Sequence, residues 1–130
     1  MENEFVPYQQ ALALKELGFD EECIGYYENN KNKIIFYGGT RTNTNFSRVF
    51  NSTHFRLVTP LYQQVFRWFR EKHNLHTIIN ITISDKWYFE IYNLSDKRNC
   101  EIKIEEIFLL TYEEAELECL KRLIEIVKTK

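Results

Sequence analysis

Residues 76–94 read HTIINITISDKWYFEIYNL, and this stretch decides the fold class. His76–Ser84 is rich in β-branched residues in alternation with polar ones, which is the pattern of a half-buried strand. Asp85 and Lys86 form a tight turn, and Trp87–Leu94 is the returning strand. The stretch therefore predicts an antiparallel β-hairpin.

Further strands are predicted on both sides of this hairpin. Cys23–Glu28 and Lys33–Tyr37 are joined by a polar turn at residues 29–32, a pattern that predicts a second hairpin. Phe55–Val58 favours a short strand, and Cys100–Glu105 is expected to form an added edge strand. Several segments of the chain thus favour antiparallel pairing.

Three helices are predicted from their start and stop signals. Pro7 suits a first helical turn, because no amide donor is needed there, and Gly18 suits a C-cap. Thr59 precedes a proline and is expected to be the N-cap of the second helix, while Thr111 and Glu114 form a capping box for the third. The predicted helices span about residues 7–17, 60–73 and 111–128.

The order of these elements predicts an α+β fold. It consists of an antiparallel sheet built from two hairpins, with the added edge strand, and of three helices packed on one face. We expect a single domain over residues 1–130, with a long basic loop around residues 38–58. A loop of that length is uncommon in a compact domain, so it is either functional or contains a further strand.

Composition indicates a folded protein of a reducing compartment. The chain has 130 residues, of which 44% are hydrophobic and 15% aromatic, enough for one domain with a substantial core. The acidic first residues lack the apolar region of a secretory signal, and no apolar run is long enough to span a membrane. Three widely spaced cysteines without a Cys-x-x-Cys pair favour a reducing cytoplasm.

Charge is sorted along the chain. Residues 1–30 hold seven acidic residues against Lys15 alone, a net −6, whereas residues 31–84 hold eight basic residues against Glu71 alone, a net +7. Residues 85–130 hold eleven acidic and eight basic residues, a net −3. A basic middle block in an acidic protein indicates a surface for an anionic partner, or else a block that the acidic ends cover in the folded state.

The first group of candidate binding residues lies in the basic loop. Arg41, Arg48 and Arg56 are interleaved with Phe46 and Phe50. Basic and aromatic residues in alternation are typical of surfaces that bind single-stranded nucleic acid, or of arginine anchors in a protein interface. The alternative is that the phenylalanines simply fix the loop to the core.

The second group lies on the predicted middle helix. Arg67 and Arg70 are three residues apart and project from one side, away from the apolar face. Their guanidinium groups suit phosphate or carboxylate, and Trp68 beside them could stack on a base. The alternative is a core position for Trp68 and a solvated role for both arginines, with their stems covering apolar surface.

Catalytic chemistry is not expected. The chain lacks a Ser/His/Asp set, a phosphate-binding glycine loop and a placed carboxylate pair, and we predict neither enzyme activity nor a cofactor. His73 and His76 have no third ligand at metal-binding spacing, so a structural role is favoured. Cys119 lies on an apolar helix face and is expected in the core; Glu116 on the same stripe is either exposed near the helix start or buried against an arginine.

Three sequence blocks carry a resemblance to known proteins. They are residues 4–21, which begin Glu-Phe-Val-Pro-Tyr, residues 60–72 with Val-Phe-Arg-Trp-Phe-Arg-Glu-Lys, and residues 111–128, which begin Thr-Tyr-Glu-Glu-Ala-Glu-Leu. Together they resemble a widespread family of small phage and prophage proteins of Bacteroidota. Asn29–Arg56 departs from that pattern, and the resemblance brings no catalytic residues.

A phage origin implies a binding role. Small phage proteins without catalytic motifs often disable a host component, and the resemblance implies an anti-CRISPR inhibitor of a type VI RNA-guided RNase. Its partner would be a host defence protein or ribonucleoprotein, with guide RNA as a further contact. Two alternatives remain: an RNA- or single-stranded-DNA-binding module in phage replication, and a virion or morphogenesis protein. The sequence leaves the oligomeric state open.

Overall fold

The computed structural model describes residues 2–28, 33–36, 56–95, 101–104 and 108–129. These residues form three α-helices and antiparallel strands in two small sheets, so the predicted α+β class is confirmed. The chain divides into two compact units, Met1–Tyr62 and Gln63–Lys130.

The described residues of the first unit form a short 3₁₀ helix at Glu2–Glu4, one α-helix and a three-stranded sheet. Its elements are helix α1 (Tyr8–Glu16) and strands β1 (Gly25–Glu28), β2 (Ile34–Phe36) and β3 (Arg56–Thr59). β1 is central, and both neighbours pair with it antiparallel. The first predicted hairpin and the short strand after the basic segment are therefore confirmed. Residues 56–58 lie at the end of the expected long basic loop, but they belong to β3, because they pair with β1.

The N-terminal chain is attached to the end of β3 through Val6. The Val6 amide donates to the Pro60 carbonyl at 3.0 Å, and the Val6 carbonyl accepts from Thr59 Oγ1 at 2.6 Å and from the Tyr27 hydroxyl at 3.2 Å. Thr59 is thus the last residue of β3 and is fully buried. The prediction that it caps a helix is wrong, because strand pairing with Gly25 places its hydroxyl against Val6.

Helix α1 ends as its sequence predicts. Gly18 has φ +95°, a left-handed conformation that glycine adopts without a Cβ penalty. Its amide donates to the Lys15 carbonyl at 3.1 Å, and the Phe19 amide donates to the Leu14 carbonyl at 3.0 Å. This pair of bonds is a Schellman motif, and the buried side chains of Leu14 and Phe19 supply its usual apolar residues.

The second unit contains two helices and a meander. Helix α2 (Tyr62–His73) begins at the boundary, followed by β4 (Leu75–Ile81), β5 (Trp87–Asn93), β6 (Glu101–Ile104) and helix α3 (Tyr112–Lys128). β5 is central, and α3 packs against β5 and β4. The hairpin over residues 76–94 and the edge strand are confirmed. The predicted two-residue turn at Asp85 and Lys86 is wrong, because β4 already ends at Ile81 and the Thr82 amide donates to the Lys86 carbonyl, so the turn spans residues 82–86.

The arrangement of the sheet differs from the expected one. The two predicted hairpins lie in separate sheets, because each hairpin acquires its third strand from its own unit, β3 in the first and β6 in the second. The helices are divided likewise: α1 contacts β3, whereas α3 covers the other sheet. One sheet with three helices on one face is therefore not what forms among the described residues.

Helix α3 begins with the predicted cap in a modified form. Thr111 Oγ1 accepts from the Glu114 amide at 3.1 Å, as in a capping box. The Glu114 carboxylate accepts from the Leu110 amide at 3.1 Å, one residue before the usual donor. The buried face that follows is Ala115, Glu116, Cys119, Leu120, Leu123 and Ile124.

Gly25 is predicted to be intolerant of any side chain. A Cβ there would lie 2.7 Å from Phe5 Cε1 and 3.1 Å from Ile34 Cγ2, and both residues are buried. Overpacking of this kind typically costs about 1–3 kcal/mol, so Gly25→Ala should lower the free energy of unfolding by that amount in urea denaturation.

A double-mutant cycle tests the cause. In a Phe5→Leu background the ring that obstructs the new methyl group is gone, so the additional loss caused by Gly25→Ala should shrink clearly. Strictly additive losses would show that the Phe5 contact is not responsible.

Candidate functional site

The exposed side of α2 carries the two arginines predicted on it. Val65 and Phe69 are completely buried on one side of the helix, while Arg67 and Arg70 are exposed on the other, together with Gln63. The helical period explains this sorting, since residues 63, 67 and 70 lie on one stripe. The predicted exposed placement of both arginines is confirmed.

Trp68 does not belong to that surface. It is only 3% exposed, and its ring makes edge-on contacts with Phe69 at 5.0 Å and with His73 at 4.9 Å between centroids. A buried indole cannot stack on a nucleotide base, so the core alternative for Trp68 is correct. The His73 ring is part of the same aromatic cluster. Among the described residues, no three His, Cys, Asp or Glu side chains form a group that could hold a metal ion.

The basic-loop candidates lie mostly outside the described residues. This applies to Arg41, Phe46, Arg48 and Phe50. Arg56 is the first residue of β3 and is paired in register with Glu28 of β1. Their role in binding stays a prediction, and Arg56 differs from the others because its backbone belongs to a sheet.

Helix α3 buries one acid and one thiol. Burial, and then the carboxylate of Glu116, raise the pKa of Cys119 far above its usual value, so the thiol is protonated at neutral pH and is no nucleophile. The expected core position of Cys119 is confirmed, and an exposed position for Glu116 is wrong. Partial burial, and then Glu116 and Glu113, also raise the pKa of Tyr112. A pairing of Glu116 with an arginine stays a prediction.

The turn end of the β4–β5 hairpin carries an exposed apolar surface that the sequence did not single out. Ile81 pairs in register with Trp87, whose main chain exchanges two 2.7 Å hydrogen bonds with Leu109. The Trp87 ring lies 5.3 Å from that of Tyr112. We call these residues the apolar end cluster. Its members are the partly exposed Trp87 and the exposed Ile81, Ile83, Phe108, Leu110 and Tyr112.

The exposure of the apolar end cluster is large. Leu110 is 66% and Phe108 is 61% exposed, and Ile83 is completely exposed in the turn. Large apolar side chains exposed in the same part of a folded protein commonly mark an interaction site. One sequence signal pointed to it: apolar alternation continues from Ile79 through Ile83 into the turn, where a hairpin usually becomes polar.

Comparison of this chain with protein-family models, with curated proteins and with solved structures found no match. Across the described ranges, every helix is too short or too polar to cross a bilayer.

The buried cysteines give a prediction about thiol reactivity. Cys23 and Cys119 are not in disulfides and are buried, with 1% and 0% exposure, while Cys100 lies outside the described residues. In a Cys100→Ser variant, we expect no reaction with DTNB at pH 8 within minutes, because neither remaining thiol is accessible. After unfolding in guanidinium chloride, both should react.

A complementary variant separates the two thiols. Cys119→Ser in the same background should release a single thiol on unfolding. Rapid labelling of the folded Cys100→Ser protein would contradict the burial of Cys23 or Cys119 described above.

Proposed function

We propose that this protein is a non-catalytic phage accessory protein that binds a host defence ribonucleoprotein and inhibits it. The candidate target is a type VI RNA-guided RNase, with guide RNA as a further contact. The choice of target rests on the resemblance of the three sequence blocks, and the mode of binding rests on the charged side of α2.

The observation that carries the binding mode is the separation of the two sides of α2. The helix spans 12 residues, and its buried side is closely packed, so the exposed side is presented from a fixed backbone. The helix has three basic residues, Arg67, Arg70 and Lys72, and one acidic residue, Glu71, and all four side chains are exposed. Because the helix fixes the backbone, binding has to order only the arginine side chains, whose planar guanidinium groups suit phosphate or carboxylate.

The burial of Trp68 favours a ribonucleoprotein or protein target over a bare single strand. Proteins that bind single strands combine basic grooves with aromatic side chains on which bases stack. On α2 the Trp68 indole is buried in the core, so the exposed arginines have no indole beside them on which a base could stack. Cationic groups of this kind recognise folded RNA backbone or acidic protein surfaces equally well.

Two double variants should weaken binding. Arg67→Ser/Arg70→Ser removes the anchors on α2, and Arg41→Ser/Arg48→Ser removes those of the basic segment while Arg56 keeps its place in β3. Loss of an arginine anchor in an interface can cost about 2 kcal/mol or more, roughly 30-fold in affinity for each residue. Capture of the target from host lysate, followed by titration of the purified target, measures this loss.

The matched control is Lys121→Ser/Lys128→Ser. Both lysines are exposed on α3, away from the basic block in the sequence, so the same loss of charge should leave binding unchanged. Equal weakening by all three double variants would indicate an unspecific charge effect and contradict a defined arginine surface.

Nuclease treatment of the lysate separates this proposal from direct nucleic-acid binding. One host protein retained after nuclease supports the proposal. Loss of every partner, with an affinity for RNA that falls steeply with salt, would support the nucleic-acid-binding alternative instead.

A further inference from the structure

Strand β4 forms one edge of the second sheet and carries no charged residue. In the described part of the chain, β5 is the strand that pairs with β4, which leaves the other edge of β4 without a described strand. The run from Asn74 to Ser84 contains no Asp, Glu, Lys or Arg. Ile78 and Ile81 within β4 are 46% and 45% exposed. Native proteins usually protect such edges with charges, prolines or bulges, and β4 has none of these.

The hydrogen bonds at the two ends of the hairpin show which backbone groups of β4 face outwards. The Asn74 carbonyl accepts from the Leu94 amide at 3.0 Å, and the Thr82 amide donates to the Lys86 carbonyl at 2.7 Å. Because backbone groups alternate in direction along a strand, the even-numbered residues of β4 face β5 and the odd-numbered ones face away. The outward N–H of Ile81 is occupied by Asn80 Oδ1 at 2.8 Å. The outward groups of Thr77 and Ile79 therefore form the middle of this edge, with which none of the described strands pairs.

We propose that this edge is a docking surface for a second copy of the chain, whose β4 pairs with it in antiparallel orientation. Thr77 of each copy would exchange hydrogen bonds with Ile79 of the other. Ile78 would then lie opposite Ile78 of the second copy on the twofold axis, and the two three-stranded sheets would join into one of six strands.

The absence of charge favours a second copy over a different partner. In a symmetric antiparallel pair, a residue near the twofold axis lies opposite the same residue of the second copy or one of its near neighbours. A charged side chain there would therefore face an identical charge. An edge without Lys, Arg, Asp or Glu avoids that repulsion and offers no charge with which to select a foreign strand. The isoleucine at the centre supplies a cross-strand apolar contact that buries a half-exposed side chain on both copies.

Sedimentation equilibrium over roughly 1–100 µM protein tests the proposal. The wild-type chain should be a dimer at the upper concentrations, and Ile78→Lys should weaken the dimer at least 10-fold, because two ammonium groups would face each other at the axis. Ile83→Lys is the matched control: the same substitution in the fully exposed turn should leave the dimer intact.

A disulfide provides a second readout that does not depend on a destabilising change. Opposed residues of a non-hydrogen-bonded antiparallel pair have Cα atoms roughly 4.5 Å apart, within the range that a disulfide spans. In a Cys100→Ser background, mild oxidation should convert Ile78→Cys into a covalent dimer and should leave Ile83→Cys monomeric.

Three results would overturn the proposal. These are a wild-type chain that stays monomeric at the highest concentration, a dimer that survives Ile78→Lys unchanged, and equal crosslinking of the two cysteine variants. A monomer that acquires a β4 partner only from another protein would likewise exclude the second copy as occupant.

Discussion

The main chain of Val6 makes three hydrogen bonds in a position without solvent access, and the organisation of the first unit depends on them. Its carbonyl accepts from Thr59 and Tyr27, and its amide donates to Pro60. A buried carbonyl or amide without partners costs about 1–3 kcal/mol each, so the chain must bring β1 and the end of β3 to this point. With Val6 held at this point, the Phe5 ring lies against Gly25, and α1, which begins two residues after Val6, contacts β3. The conformation of the N-terminal residues is therefore set by contacts more than fifty residues away.

In the second unit the constraint is the match between α3 and the inner face of the meander. The buried residues of α3 recur at helical spacing, and Phe89 and Ile91 of β5 alternate at strand spacing, so the two patterns meet on one side of the sheet. The turn end of the β4–β5 hairpin carries exposed apolar side chains, and β4 carries no charged residue. The exposed side of α2 is cationic instead, so the described residues of the second unit include two chemically different exposed surfaces, one charged and one apolar.

Local sequence patterns predicted most helices and strands. Contacts between residues far apart in the sequence decided the role of Thr59, the burial of Glu116 and Trp68, and the division of the strands between two sheets. The strand period at residues 76–94, the Gly18 ending and the Thr111 cap are encoded within a few residues, and all three are present. Thr59 failed as a helix cap because its role depends on Val6, far away in sequence. The burial of Glu116 and Trp68, and the division of the strands between two sheets, likewise depend on tertiary packing that overrides local preference. For the candidate binding residues, periodicity correctly placed Arg67 and Arg70 at the surface. The exposed apolar residues at the hairpin end left one local signal, the apolar alternation that continues into the turn, and that pattern alone does not distinguish an exposed side chain from a buried one.

The strand order of the first sheet has a consequence for how this protein can diversify. β2 and β3 flank β1, with Phe36 opposite Gly25 and Arg56 opposite Glu28, so Phe36 and Arg56 are fixed on a folded frame roughly 14 Å apart, two strand spacings across the sheet and three residues along it. The entropy of closing a connection between fixed points rises only slowly, by about 0.6 kcal/mol for each doubling of its length. Insertions, deletions and wholesale replacement between these two anchors should therefore be accepted at little thermodynamic cost, whereas the strands on either side are held by pairing. An evolving lineage can alter this stretch rapidly while the frame that bears it stays the same.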